Sequence, residues 1–524
     1  MIIEKTEFGP VEVTTIPLPE GLGPDVSGTY TYSGRVLVSV GMAEKGKDWY
    51  RVFTIDDDGT GLSEVFEGCI PKKPGANGIR WMCFTDNRRV WLGDYVLECT
   101  PDLDHCESAV LRDVVFPEVV GKIPGVFMRW SEPIVAPDME HICFTSLTGS
   151  GAFNFLGKFV IKDGTYYIED ACIVSSTGAV EPVEGRDGWY RLKTQRGGEV
   201  KQFIRGGRGM SLAGGGRSIS ESVIQMLDSE ETACITDTLG YEETAILSPD
   251  ERLAVCMSPR FSPKTDFGIL GVIPMSGDMF TRGRYMNVLY QYAIAGARYG
   301  RNGNIGPALI DVEKSMSLGR AYQGVDLSDL ENKWVYYSPM SWHPDSTRAL
   351  WNERTRLTAG PVSARLRRVR LLDAAPSEPV PFTRTPDREE IPYALPVEEA
   401  LKVELPVLPM KILGAEGHVE NNVLPDGRPE TRYENYSEDG KTYYNGYIRV
   451  KTPANMFQPG ETLIDADVTV TGEHNGRMLL TLALQADARF QIHLDRTPDE
   501  NGLPKSRGFS EYDGIRRTVE EMEP

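Results

Sequence analysis

The segment Ser248-Pro249-Asp250-Glu251-Arg252-Leu253-Ala254-Val255-Cys256 decides the fold, because it joins a tight turn to an apolar strand. Proline presets φ in such a turn, and the aspartate side chain accepts hydrogen bonds from the backbone N–H groups that follow it. The apolar and β-branched residues after the turn favour an extended strand. The same plan occurs in residues 136–144 and 343–351, and residues 437–444 repeat it without the proline.

The spacing of these turns indicates a repeated structural unit. Intervals of 112, 95 and 94 residues separate the turn aspartates, which are Asp138, Asp250, Asp345 and Asp439. Weaker matches at Gly34 and Asp86 precede the first of them at intervals of 52 residues. The longer intervals equal two units of about 50 residues, which is the length of a propeller blade. We therefore predict an all-β, seven-bladed β-propeller, with eight blades as the alternative.

A second repeated half-unit supports the propeller. Residues 49–54 and 189–194 both begin Trp-Tyr-Arg, and each is followed by a turn and a returning strand. The chain thus resembles the TolB-like propellers, whose blades carry a strand, a Ser-Pro-Asp-Gly turn, a second strand and an Asp-Gly hairpin. The resemblance covers about residues 28–450. It implies the fold and leaves the activity open, because many functions share this motif.

The rest of the sequence is organised around this repeat. We predict that residues 1–375 form propeller blades, with a helical insertion near residues 281–330 where apolar residues recur at helical spacing. Residues 376–409 contain eight prolines and predict an extended connection. Residues 410–524 are β-rich and form either the last blade or blades or a small accessory β-sheet. The early strand at residues 11–16 is expected to help close the ring, because closure removes exposed sheet edges.

Composition and charge disfavour several classes of function. The 524 residues include 56 basic and 76 acidic side chains, and the net charge of −20 disfavours nucleic acid as a partner. No secretory signal or membrane-spanning stretch is visible, so we expect a cytoplasmic protein that does not bind membranes. The eight cysteines include no Cys-x-x-Cys pair, and the six histidines are scattered. No cofactor is therefore predicted, and a divalent metal would require histidines from different blades.

The predicted propeller also places candidate site residues. Inner strands begin at one mouth of the central channel, so residues five or six places before each turn converge there. These positions hold Arg80, Glu132, Glu243 and Ser338; Arg129, Trp130, Tyr336 and Tyr337 lie nearby, and His418 and Glu420 occupy a looser equivalent before the last blade. The predicted catalytic residues are Glu132, Glu243, Tyr336, Tyr337 and His418. The predicted substrate-binding residues are Arg80, Arg129, Trp130, Glu420 and Arg208. Carboxylates would act as bases, tyrosine or histidine as acids, and arginines would hold an anionic group.

Arg208 is included because its segment is locally basic. Seven basic residues and one acidic residue lie between Trp189 and Arg217. Arginine forks suit carboxylates and phosphates, so the segment is either an anion site or a solvated hairpin.

These residues predict an intracellular enzyme that binds a polar or carboxylated small organic molecule at the channel mouth. The expected chemistry is that of a lyase or a hydrolase. The alternative is a non-catalytic TolB-like propeller that binds a protein or a ligand. The sequence leaves the substrate and the oligomeric state open.

Overall fold

A computed structural model describes residues 1–74, 80–123, 128–148, 151–215, 220–262, 264–274, 288, 290–328, 333–402, 407–453, 459–489 and 491–524. Strands make up most of the regular structure, which confirms the all-β prediction. Two short strands come first, β1 (Ile2–Ile3) and β2 (Val11–Thr15).

Three four-stranded antiparallel units follow in chain order. The first contains β3 (Val26–Tyr30), β4 (Val36–Gly41), β5 (Trp49–Ile55) and β6 (Ser63–Cys69). The second contains β7 (Trp81–Cys83), β8 (Arg89–Leu92), β9 (Tyr95–Thr100) and β10 (Ser108–Val115). The third contains β11 (Met128–Val135), β12 (His141–Thr148), β13 (Gly151–Lys162) and β14 (Thr165–Ile173). A parallel pairing of β10 with β14 joins the second unit to the third.

A hairpin of β15 (Val180–Pro182) and β16 (Trp189–Leu192) separates these units from three more. The fourth contains β17 (Glu199–Ile204), β18 (Gly209–Gly215), β19 (Glu221–Met226) and β20 (Thr232–Cys234). The fifth contains β21 (Thr244–Leu247), β22 (Leu253–Met257), β23 (Ala308–Asp311) and β24 (Val325–Asp326). The sixth contains β25 (Trp334–Trp342), β26 (Arg348–Thr355) and β27 (Ala364–Leu371), with β2 as its outer strand.

The six units are joined in a ring. First strands are in contact at five junctions, β3 to β7, β11 to β17, β17 to β21, β21 to β25, and β25 back to β3, and the parallel pair of β10 and β14 joins the second unit to the third. This is the arrangement of a β-propeller. Because the described residues form six four-stranded units, neither the predicted seven blades nor the alternative eight are confirmed.

The N-terminal strand completes the sixth unit, as the sequence predicts. β2 pairs antiparallel with β27, and Val13 lies opposite Val369. Val11 and Val13 are fully buried, whereas Glu12 and Thr14 on the other face are only partly buried. The strand thus inserts one apolar face into the core and covers the open edge of β27.

The predicted aspartate turns end the inner strands. Oδ1 of Asp138 accepts hydrogen bonds from the backbone N–H groups of Glu140 at 2.9 Å and His141 at 3.0 Å. Oδ1 of Asp345 accepts the equivalent bond from Thr347 at 2.9 Å. The residue after each aspartate has a positive φ, 62° in both Met139 and Ser346. The turn chemistry inferred from the sequence is therefore present.

An insertion interrupts the fifth unit between β22 and β23. Its described part contains a π-helix at Tyr290–Ala295 and helix α1 (Gly296–Tyr299). Helix α2 (Val312–Leu318) follows β23. Residues 281–287, 289, 329 and 330 of the predicted helical insertion lie outside the described residues. None of the helices in the described ranges is long and apolar enough to cross a membrane.

The C-terminal strands form a separate sheet. They are β29 (Met410–Leu413), β30 (Glu416–Val423), β31 (Pro429–Ser437), β32 (Thr442–Lys451), β33 (Gly460–Gly472), β34 (Gly476–Ala486), β35 (Ile492–Leu494), β36 (Arg507–Tyr512) and β37 (Ile515–Thr518). With β15 and β16 they make an eleven-stranded sheet, whose β16–β29 pair is parallel. Its inner face, including Ile448 and Val468, packs against Phe267 and Tyr292 of the insertion in one large core.

Residues 376–396, referred to below as the strap, cross the end of the ring that carries the aspartate turns. β28 (Leu395–Pro396) at its end pairs with β14. Four backbone N–H groups bond to successive units: Ser377 to Asp345 O at 3.1 Å, Val380 to Pro249 O at 2.8 Å, Thr383 to Gly206 O at 2.8 Å, and Thr385 to Asp138 Oδ2 at 2.8 Å. The strap therefore spans the sixth, fifth, fourth and third units in that order.

Candidate functional site

Polar side chains gather at the end of the ring opposite the strap. An inner strand that ends at an aspartate turn begins at the other end of its sheet, so the starts of neighbouring inner strands lie together. These residues, referred to below as the mouth cluster, are Glu199, Lys201, Tyr241, Glu243, Tyr290, Arg298, Tyr336 and Tyr337.

Lys201 lies between two carboxylates of the mouth cluster. Its Nζ is 2.7 Å from Oε1 of Glu199 and 3.9 Å from Oε1 of Glu243. Glu199 and Lys201 both lie on β17, whose register against β18 shifts between Val200 and Gln202. Only 6% of the Lys201 side chain is exposed, so the charges interact with little screening by water.

Glu243 precedes β21 and is the carboxylate best suited to take a proton. Its Oε2 accepts a hydrogen bond from the Tyr241 hydroxyl at 3.0 Å. Burial raises the pKa of Glu243; the positive charges of Lys201 and Arg298 oppose this rise, and the negative charge of Glu199 adds to it. A carboxylate with a raised pKa is a stronger base once it is ionised.

Tyr336 lies on β25 and is almost completely buried. The groups that act on its hydroxyl are Arg80, Glu243, Arg298 and Ser338. Burial raises the pKa of this hydroxyl, the charge of Arg80 opposes the rise, and that of Glu243 adds to it.

The insertion contributes two members of the mouth cluster. Arg298 of α1 places its guanidinium 4.4 Å from the ring centre of Tyr337, a cation–π contact. Burial raises the pKa of Tyr290, the charge of Arg298 opposes the rise, and Glu243 adds to it. The insertion therefore contributes side chains that interact with those of the inner strands in the mouth cluster.

Four of the residues predicted from the sequence are brought together at the mouth. Glu243, Tyr336 and Tyr337 belong to the mouth cluster, and the charge of Arg80 acts on Tyr336. Their predicted catalytic and binding roles stay predictions. Arg129, Trp130 and Glu132 lie on β11, the inner strand of the third unit, but their side chains are outside the described residues.

His418 and Glu420 lie on β30 of the C-terminal sheet and not on an inner strand of the ring. His418 Nε2 is 3.2 Å from Glu420 Oε1, and its ring centre is 5.3 Å from that of Trp189. Glu420 also pairs with Lys411. The contacts given for this group lie within the eleven-stranded sheet, and the turn at Asp439 belongs to the same sheet. The predicted catalytic role of His418 and the predicted binding role of Glu420 stay predictions.

Arg208 lies at the opposite end of the ring, in the turn between β17 and β18. Its side chain is 53% exposed, and Nη1 is 3.5 Å from Oδ2 of Asp228. Other cations of the basic segment also pair separately, Arg196 with Glu230 and Arg205 with Glu251. The described part of this segment therefore does not gather its positive charges into one anion site.

The sequence reasoning missed five members of the mouth cluster. They are Glu199, Lys201, Tyr241, Tyr290 and Arg298. Glu199 and Lys201 could have been found because they begin an inner strand, yet no aspartate turn follows β17 to mark them. Arg298 comes from an insertion, and no repeat spacing indicates where an insertion folds back.

The mouth cluster combines a base, hydroxyl donors and cations. Such a set can bind an anionic group and move a proton on the bound molecule. In the described part of the chain, no group of three or more His, Cys, Asp or Glu side chains is placed to hold a metal ion.

The ring and its closure by the N-terminal strand define the class of the fold as a β-propeller. Among solved structures, the chain is similar to oligogalacturonate lyase from Vibrio parahaemolyticus, with 10% identity over 71% of this chain and 97% of that one and a TM-score of 0.37. It is also similar to TolB from Acinetobacter baumannii, with 12% identity over 68% of this chain and 66% of that one and a TM-score of 0.28. No family model and no curated protein match the sequence.

Proposed function

We propose that the mouth cluster is the active site of a lyase acting on a small carboxylated molecule, such as a sugar acid. The observation that carries this proposal is the position of the Glu243 carboxylate, which accepts a hydrogen bond from Tyr241 and lies 3.9 Å from the Lys201 ammonium. Burial raises the pKa of Glu243, and both of these neighbours oppose the rise. The acidic net charge of the chain supports a small molecule over nucleic acid as the partner.

The chemistry follows from the groups available. Arg298 and Arg80 would hold the substrate carboxylate, and Glu243 would remove the proton from the neighbouring carbon. The electron pair of that C–H bond forms a double bond to the next carbon, whose bond to oxygen breaks. The departing oxygen takes a proton from Tyr336, and the arginines stabilise the negative charge that builds on the carboxylate.

Hydrolysis would use the same residues, with Glu243 activating a water molecule. The non-catalytic alternative is a binding site for the same class of anion. The ion pair between Lys201 and Glu199 supports that alternative, because a buried ion pair can fix the position of a ligand without taking part in chemistry.

A 4-linked uronate disaccharide separates these possibilities, and digalacturonate is a suitable probe. Elimination creates a conjugated enoate that absorbs ultraviolet light, hydrolysis releases a reducing sugar without that absorbance, and a binding protein does neither. We expect wild-type protein to form the enoate. Glu243→Gln should retain binding in calorimetry and lose about 100-fold or more in turnover.

Glu251→Gln is the matched control. Glu251 lies in the fifth unit at the opposite end of the ring and pairs with Arg205 at 3.1 Å. The Glu251→Gln variant should turn over digalacturonate at the wild-type rate. Binding without any product would contradict the lyase and support the binding alternative.

A further inference from the structure

Arg298 lies in the last turn of a helical segment at the mouth. Helix α1 continues directly from the π-helix at Tyr290–Ala295, and the segment ends at Tyr299. The carbonyl groups at the end of a helix need partners from outside it. The position of Arg298 therefore depends on whatever binds the end of α1.

Arg356, which follows β26, binds that end. It is 3% exposed. Its guanidinium donates hydrogen bonds to the backbone carbonyls of Ala297, Arg301 and Gly303, the second of these at 2.9 Å. A guanidinium offers several donors in a fixed fork, so one side chain can join three carbonyls of a curved segment.

The two residues after Arg356 bind the backbone of α1 directly. Leu357 N donates to Arg298 O at 3.1 Å, and Thr358 N donates to Tyr299 O at 3.0 Å. The sixth unit thus fixes the backbone of Arg298 and also supplies Tyr337, the ring over which its guanidinium lies. The sheet of the sixth unit therefore positions both partners of the cation–π contact.

We propose that Arg356 is a positioning residue for Arg298, and that it sets the Arg298 guanidinium where a substrate carboxylate binds at the mouth. This role rests on the proposed function and deepens it, because it names the residue that positions Arg298 for the anionic group. Arg356 itself would touch neither substrate nor reacting atoms. Its loss should therefore appear as weaker binding of the anion through displacement of Arg298.

Calorimetry with digalacturonate tests this role on four variants. We expect Arg298→Met and Arg356→Met each to weaken binding about ten-fold, the loss expected for one hydrogen bond to a charged group. The double variant should bind no more weakly than Arg298→Met, because both changes remove the same interaction. Arg356→Lys should restore part of the affinity.

Arg367→Met is the matched control for loss of a buried arginine. Arg367 is 9% exposed on the adjacent strand β27 and donates to Thr15 Oγ1 at 3.0 Å, away from α1. It should bind the probe as wild type. Unchanged affinity in Arg356→Met, or about a hundred-fold loss in the double variant from independent effects, would overturn the positioning role.

A second measurement distinguishes failure of this role from failure of the proposed function. If wild type does not bind digalacturonate, the proposed function fails for that substrate, and Arg356 is judged from the pKa of Glu243 measured by carbon-13 NMR. The charge of Arg298 lowers that pKa. We expect Arg356→Met to raise it as Arg298→Met does, and an unchanged pKa in Arg356→Met would overturn the role.

Discussion

The Tyr241 hydroxyl donates a hydrogen bond to Oε2 of Glu243 at 3.0 Å. Burial raises the pKa of Glu243, and this bond opposes the rise by stabilising the ionised carboxylate. Tyr241→Phe removes the hydroxyl alone, so the pKa of Glu243 should rise. We expect the acid limb of kcat/KM against pH to move to higher pH by up to about one unit.

Tyr447→Phe is a control for this change, because Tyr447 lies on β32 in the C-terminal sheet. The pH profile of kcat/KM for Tyr447→Phe should match that of wild type. An acid limb that stays in place in Tyr241→Phe would show that Glu243 is not the group whose ionisation the profile reports.

Glu199→Gln should shift the acid limb of kcat/KM against pH to lower pH. The negative charge of Glu199 raises the pKa of Glu243, and Glu199 also pairs with Lys201 at 2.7 Å. Removing that charge lowers the pKa of Glu243, so activity should appear at lower pH. The pH profile of kcat/KM checks the sign, and a shift to higher pH would contradict the electrostatic coupling across Lys201.

His141 should make stability depend on pH. Its Nδ1 is 2.7 Å from Asp138 Oδ2, and its Nε2 is 2.9 Å from Asp387 Oδ1 in the strap. Burial lowers the pKa of His141, but hydrogen bonds and charges from the two carboxylates outweigh burial, and the pKa is raised overall. Asp387 also pairs with Lys158 and Arg384.

A raised folded-state pKa adds stability that is fully present below the unfolded pKa, about 6.5, and is lost as pH rises through the folded value. His141→Gln should therefore cost about 3 kcal/mol of unfolding free energy near pH 5.5 and less near pH 9. Urea unfolding at both pH values measures this difference. The control is His105→Gln, because His105 faces Asp102 in a similar pair but its side chain is 78% exposed. An equal cost for His141→Gln at both pH values would contradict the charged pairing.

Val13→Ala should weaken the closure of the ring. Val13 is fully buried on β2, opposite Val369 of β27. The lost apolar contact should cost about 2 kcal/mol of unfolding free energy. Glu12→Ala, on the other face of the same strand, should change stability by less than about 0.5 kcal/mol. Urea unfolding compares the two, and equal losses would mean that the strand does not bury its valine face.

The local features of the fold could be predicted because their chemistry is local. The hydrogen bonds of Asp138 and Asp345 join residues two or three places apart, so a short motif specifies them. Asp439 makes the same kind of turn, with Lys441 N at 2.8 Å. Its strands nevertheless belong to the C-terminal sheet, because long-range packing decides which sheet a hairpin joins.

The candidate site could also be predicted only in part from the sequence. Glu243 could be placed because it lies six residues before Pro249, and Tyr336 because it is close to Ser338, which lies six residues before Pro344. Arg298 could not, because its place depends on bonds from Arg356 and Leu357, which lie more than fifty residues away in sequence. His418 was placed at the mouth because its segment precedes a matching turn, and that turn lies outside the ring.

A crystal structure of the Glu243→Gln variant with digalacturonate tests the proposed site most directly. We expect a uronate carboxylate within hydrogen-bond distance of Arg298 or Arg80, with the carbon next to that carboxylate facing the side chain at position 243. Sugar bound instead in the cavity between the strap and the third unit, beside Lys158 and Arg388, would contradict the site at the mouth.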